Sequence, residues 1–116
     1  MSTPNPAGNF GTLVQRLRQL PFDELRKQSD GYLEFVLSVR HLTRLYPLLE
    51  DYFGTPFKPA GVAPTREAES CAKSYGGIQK QQTLYFFKRD GFGNCAMIWP
   101  WNDAVRVTVK VAQGQL

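Results

Sequence analysis

Ala104-Val-Arg-Val-Thr-Val-Lys-Val-Ala112 sets valine at 105, 107, 109 and 111 against Arg106, Thr108 and Lys110. Side chains of a strand point to opposite faces in turn and β-branched residues suit a pleated surface, so the stretch predicts a half-buried strand with its valines inward. Working back from it, Thr83-Leu-Tyr-Phe-Phe-Lys88 and Cys95-Ala-Met-Ile-Trp99 carry apolar residues at consecutive positions. Each is read as a strand with two faces to cover. Asp90-Gly-Phe-Gly-Asn94 supplies two glycines able to take positive φ for a hairpin connection, and Asn102-Asp103 marks the next reversal. Pro100 has no N–H to give a ladder, so the second strand is expected to end at Trp99, with Pro100 and Trp101 in the connection.

Upstream of these strands the patterning changes. Residues 1–9, with Pro4, Pro6 and Gly8, read as a flexible tail, and residues 10–116 as a single α+β domain. Thr12 is placed to cap a helix whose one face carries Leu13, Val14, Leu17 and Leu20, and Pro21 ends it. A second short helix is expected over Pro21–Arg26, where proline and acidic residues suit a first turn. Ser29-Asp30-Gly31 reads as a turn. Tyr32 to Val39 fits a helix or a buried strand; helix is preferred because the spacing continues through Leu42, Tyr46, Leu49 and Phe53, with a kink or restart near Leu45 caused by Pro47. Residues 54–64 hold three prolines and two glycines and predict a loop. Thr65 then caps a helix over Arg66–Tyr75 that Gly76 terminates. The fold class expected is α+β, with N-terminal helices packed on a C-terminal three-stranded antiparallel β-meander.

Composition bounds the function. A chain of 116 residues, 42% hydrophobic and of mixed charge, has the size and character of one globular domain. The opening residues show no basic start followed by an apolar stretch, and no uncharged run approaches a membrane span, so a soluble, cytoplasmic protein without membrane association is expected. Two cysteines and one histidine make no usual zinc set, and free thiols without metal or cofactor are expected. The net charge is +4, and most of the excess lies after residue 77, where five basic residues stand against two acidic. That balance permits a polyanionic partner without implying one.

No catalytic constellation emerges. His41 stands between Arg40 and Arg44 with no nucleophile or orienting carboxylate at motif spacing, and the acidic pairs suit helix ends, so an enzyme is not expected. Gly91-Phe92-Gly93 and Gly76-Gly77 lack the strand-to-helix context of a phosphate loop. Arg89-Asp-Gly-Phe-Gly-Asn-Cys95 has a passing likeness to an RNA-recognition strand motif, but Asp90 and Asn94 stand where a basic and an aromatic residue belong, so the motif is not carried over.

The reading that follows is a small non-enzymatic interaction module. It binds a protein partner or a second copy through an aromatic sheet face or the Trp99-Pro100-Trp101 turn. The alternative is sequence-tolerant binding of single-stranded nucleic acid on the same aromatic and basic face, where bases stack on rings and cations follow the backbone. The candidate residues are Tyr85, Phe87, Trp99, Trp101, Arg106 and Lys110. A third option is a hydrophobic ligand pocket between helices and sheet.

Overall fold

A computed structural model describes residues 10 to 89 and 91 to 115; the tail expected over residues 1–9 lies outside them. The fold is α+β, with three α-helices and a five-stranded antiparallel sheet: α1 (Phe10–Arg18), β1 (Glu24–Ser29), β2 (Tyr32–Ser38), α2 (Leu42–Phe53), α3 (Arg66–Ala72), β3 (Thr83–Arg89), β4 (Phe92–Pro100) and β5 (Arg106–Gln115). The spatial order is β1-β2-β5-β4-β3. The C-terminal meander is present as β3-β4-β5, but two further strands from the N-terminal half join it.

Those two strands correct the helices expected over Pro21–Arg26 and Tyr32–Val39. Ser29 pairs with Tyr32 and Gly31 has φ +73°, so Asp30-Gly31 is a two-residue hairpin loop. Leu33, Phe35 and Leu37 then point to one face and Tyr32, Glu34 and Val36 to the other, an alternation that the helical spacing of the same residues concealed. Gly31 is fixed twice over. Its carbonyl accepts from the Gln113 amide at 2.8 Å, and a Cβ here would come within 2.6 Å of the Gln113 oxygen. β2 runs antiparallel to β5 from Tyr32↔Ala112 to Ser38↔Arg106, which joins the two halves of the chain.

Helices α1 and α2 cover the inner face. Leu13 and Leu17 of α1 and Leu45, Leu49, Tyr52 and Phe53 of α2 pack on Leu33, Phe35, Leu37, Ile98, Val107, Val109 and Val111. Each fully buried leucine contributes about 1.5–3 kcal/mol from leaving water. α1 begins two residues before the Thr12 expected as its cap. Pro47 neither breaks nor restarts α2: it sits on the exposed side, where the carbonyl its missing N–H leaves unbonded can face water.

α3 lies on the outer face. The Thr65 side chain accepts from the Ala68 amide at 3.1 Å, as a cap should, and after a 3₁₀ turn at 73–75 Gly76 takes the left-handed conformation expected of it. Ala68 and Ala72 pack on Leu84, Met97, Cys95 and Ala112. Two strand ends depart from expectation. Pro100 is the last residue of β4, paired with Val107; β3 stops at Thr83↔Ile98, so nothing on that side needs a proline N–H. Val105 falls outside β5 and is exposed, because Ala104 at φ +61° and the Asp103 side chain, accepting from the amides of Val105 and Arg106, hold it in the turn.

Gly76 provides a test of this packing. A Cβ there would lie 2.6 Å from the Trp99 ring, whereas Gly61, also at positive φ, has open space around it. Gly61→Ala is expected to cost about 1–2 kcal/mol from backbone strain alone, and Gly76→Ala roughly 2–4 kcal/mol because the Trp99 ring must also move. Urea denaturation of the two variants measures the difference.

Candidate interaction surface

The expected site residues divide between the two faces. Tyr85 pairs with Ala96 and Phe87 with Asn94, which turns both toward the helices. Tyr85 is 1% exposed. Its ring and that of Phe87 lie 5.8 and 5.7 Å from Phe53, and Phe87 lies 5.4 Å from Tyr52. Tyr85 and Phe87 therefore belong to the core beneath α2 and not to an open face. Beside them Tyr52 donates to buried Asn94 at 3.0 Å, and Gln113 donates to the same oxygen at 2.8 Å.

Trp99, Trp101, Arg106 and Lys110 share the outer face. α3 and the 73–75 turn cover its β3–β4 side. At the boundary Lys110 extends its ammonium 3.4 Å above the Trp99 ring and donates to the Tyr75 carbonyl at 3.0 Å. Burial pushes the Lys110 pKa down, and the nearby Glu34 carboxylate opposes that shift. The Trp99 Nε1–H is buried without a hydrogen-bond partner among the described residues. Trp99 and Lys110 thus pin the 73–75 turn to the sheet.

No described helix covers the β1–β2–β5 side; Trp101 lies across it, and Val36 and Thr108 are buried there. Its indole N–H donates to Thr108 at 2.8 Å, the Arg106 guanidinium stands 4.5 Å from the ring centre and the Arg26 guanidinium 5.5 Å. Such contacts contribute about 0.5–1 kcal/mol each at an exposed site. Arg106 is oriented by Asp103 at 2.9 Å, whose carboxyl the Val105 amide, first, and Arg106 hold below its ordinary range. Arg26 follows inward-facing Leu25 and so falls on the outer face, and the bulge after it sets Lys27 opposite Glu34 on that face as well. Sequence patterning missed Arg26, whose only local signal is its place in a polar run.

The two edges of the sheet differ. β3 is bridged by Lys58, whose amide donates to the Leu84 carbonyl at 3.0 Å and whose carbonyl accepts from the Leu84 amide at 2.9 Å. The Lys58 side chain is buried; its ammonium donates to the carbonyls of Lys80, at 2.6 Å, and Gln82, and burial pushes its pKa down. β1 pairs only with β2 among the described residues, and all six of its residues are exposed.

Cys71 and Cys95 are free thiols. Burial, with a smaller contribution from Cys71, pushes the Cys95 thiol up from 9.0 to about 12. Burial, helped by Glu67 and opposed by Lys88, also raises Cys71. Raised values disfavour the reactive thiolate. Among the described residues no three His, Cys, Asp or Glu side chains gather to hold a metal ion, and no helix is long and apolar enough to cross a membrane.

The Cys95 shift fixes a sign. The folded chain keeps this proton where the unfolded chain loses it, so the contribution is intact below pH 9 and is lost as pH rises toward about 12. Urea midpoints are expected to fall between about pH 8 and about pH 10.5, and to fall less steeply in Cys95→Ala, each variant being referred to its own value at the lower pH. Comparison of the chain with protein-family models, curated proteins and solved structures finds no match to any of them.

Proposed function

We propose that this protein is a non-enzymatic interaction module that receives an extended segment of a protein partner along β1, with the Trp101 cluster anchoring one end. The observation that carries the reading is the contrast between the edges: Lys58 bridges β3 at Leu84, while β1 pairs only with β2 among the described residues and its six residues are exposed. A strand added to an open edge gains affinity from main-chain hydrogen bonds and selectivity from side-chain contacts. Tryptophan and arginine are the residues most often found to dominate binding energy, and Trp101 with Arg26 and Arg106 against its ring presents both beside that edge. The bulge and the charges of Arg26 and Lys27 are devices that discourage indiscriminate pairing, which suits a selected partner.

Single-stranded nucleic acid on this face is the weaker reading. Trp99 and Trp101 already carry cations over their rings, and Arg26 and Arg106 already face Glu24, at 3.5 Å, and Asp103. With Tyr85 and Phe87 under α2, few open ring faces remain on which bases could stack.

Panning a random-peptide library on the immobilised chain tests the proposal. Expected are extended binders that slow amide exchange over residues 24–29 and lose about tenfold in affinity, or about 1.4 kcal/mol, against Arg26→Ala. That variant should melt within a few degrees of the parent. Binders that protect only other elements, or an oligonucleotide that displaces them at about 0.15 M salt, would overturn it. A concentration-dependent dimer protecting the same amides would transfer the role from a foreign segment to a second copy.

A further inference from the structure

Where α3 crosses the far end of the outer face, the packing leaves a cavity of about 390 Å³. Its floor is a glycine pair, Gly93 and Gly114, which are cross-strand partners on β4 and β5. Glycine inside a strand weakens it and marks a place where something approaches the backbone closely. The wall above is made of small α3 residues, Ser70 and Cys71, so both sides of the hollow lack the side chains that would fill it. Phe86 and Tyr75 close the remaining sides with apolar surface, and the Phe57 ring stands 5.8 Å from Phe86. The hollow opens to solvent on one side and has the size and mixed lining of a small-ligand site.

The charges at its mouth narrow the ligand. Glu67 of α3 and Lys88 of β3 both line the cavity and are exposed, and neither makes an ion pair among the described residues. Both act on the Cys71 thiol, the carboxylate raising its pKa and the ammonium lowering it, so the two opposite charges converge on one wall. An anion alone would meet Glu67, and a cation alone would meet Lys88. A flat apolar body bearing both charges satisfies each.

We infer that the cavity binds a small aromatic zwitterion of the free aromatic amino acid type, its ring over the Gly93–Gly114 floor, its ammonium toward Glu67 and its carboxylate toward Lys88. The site lies across the outer face from the β1 edge and does not depend on what that edge binds. The backbone at Gly114 does not require positive φ, and a Cβ there meets only the Tyr75 hydroxyl, at 3.4 Å, so a side chain can be placed in the floor without backbone strain.

Titration of the full chain with L-phenylalanine, L-tryptophan, phenethylamine and 3-phenylpropionate, followed by amide chemical shifts, tests the assignment. The amino acids are expected to shift residues of α3 and of the 93 and 114 floor, and each one-charge analogue to bind about tenfold more weakly. Lys88→Gln should weaken the amino acids about tenfold and leave phenethylamine unchanged; Glu67→Gln should do the converse with 3-phenylpropionate. Gly114→Val should abolish binding with its circular dichroism spectrum retained. If that variant does not fold, protection of Cys71 from alkylation by saturating L-phenylalanine in the parent chain supplies the same information. No shift up to about 5 mM of any probe, shifts confined to other parts of the chain, or analogues binding as tightly as the amino acids would each overturn the inference.

Discussion

The pairing of β2 with β5 is the contact on which the rest of the molecule depends. It joins Tyr32 to Ala112 and Ser38 to Arg106 across most of the length of the chain. Closing so long a loop costs free energy that grows only logarithmically with its length, but the cost precedes the contacts that offset it. Once closed, the pairing sets Leu33, Phe35 and Leu37 beside Val107, Val109 and Val111, and this is the apolar floor on which α1 and α2 sit. On the other face the same register sets Glu34 opposite Lys110 and Val36 opposite Thr108. The core and the outer face are thus two sides of one alignment.

What could be read from sequence was what short-range chemistry decides. The Thr65 cap, the left-handed Gly76, the loop at 54–64 and the three-strand meander all follow from residues a few positions apart. β1 and β2 were hidden for opposite reasons. β2 is apolar enough on both faces to mimic a buried helix, and β1 is exposed at every position and so has no alternation to detect. The signal that distinguishes them is Asp30-Gly31, a loop too short for anything but a hairpin.

The surface was legible in the same partial way. Arg106 and Lys110 fall outward because β5 alternates, and Trp99 and Trp101 share that face. Tyr85 and Phe87 fall inward because the β3–β4 register, which no single strand specifies, pairs Tyr85 with Ala96. Arg26 joins the cluster from a strand that is exposed at every position, and the cavity arises because Gly93 and Gly114, 21 positions apart in the chain, become neighbours across a ladder; periodicity reports neither.

Lys58 sets a limit on assembly. By bridging β3 at Leu84 it blocks strand addition at that end of the edge, while β1 pairs only with β2 among the described residues. A sheet with two open margins can add copies head to tail without end, whereas one with a single margin is exhausted by the first strand it accepts. A strand laid along β1 would extend the sheet on that side, and the Leu84 end of β3 is closed to a further one. The buried ammonium of Lys58, fastened to the carbonyls of Lys80 and Gln82, holds that stop in place.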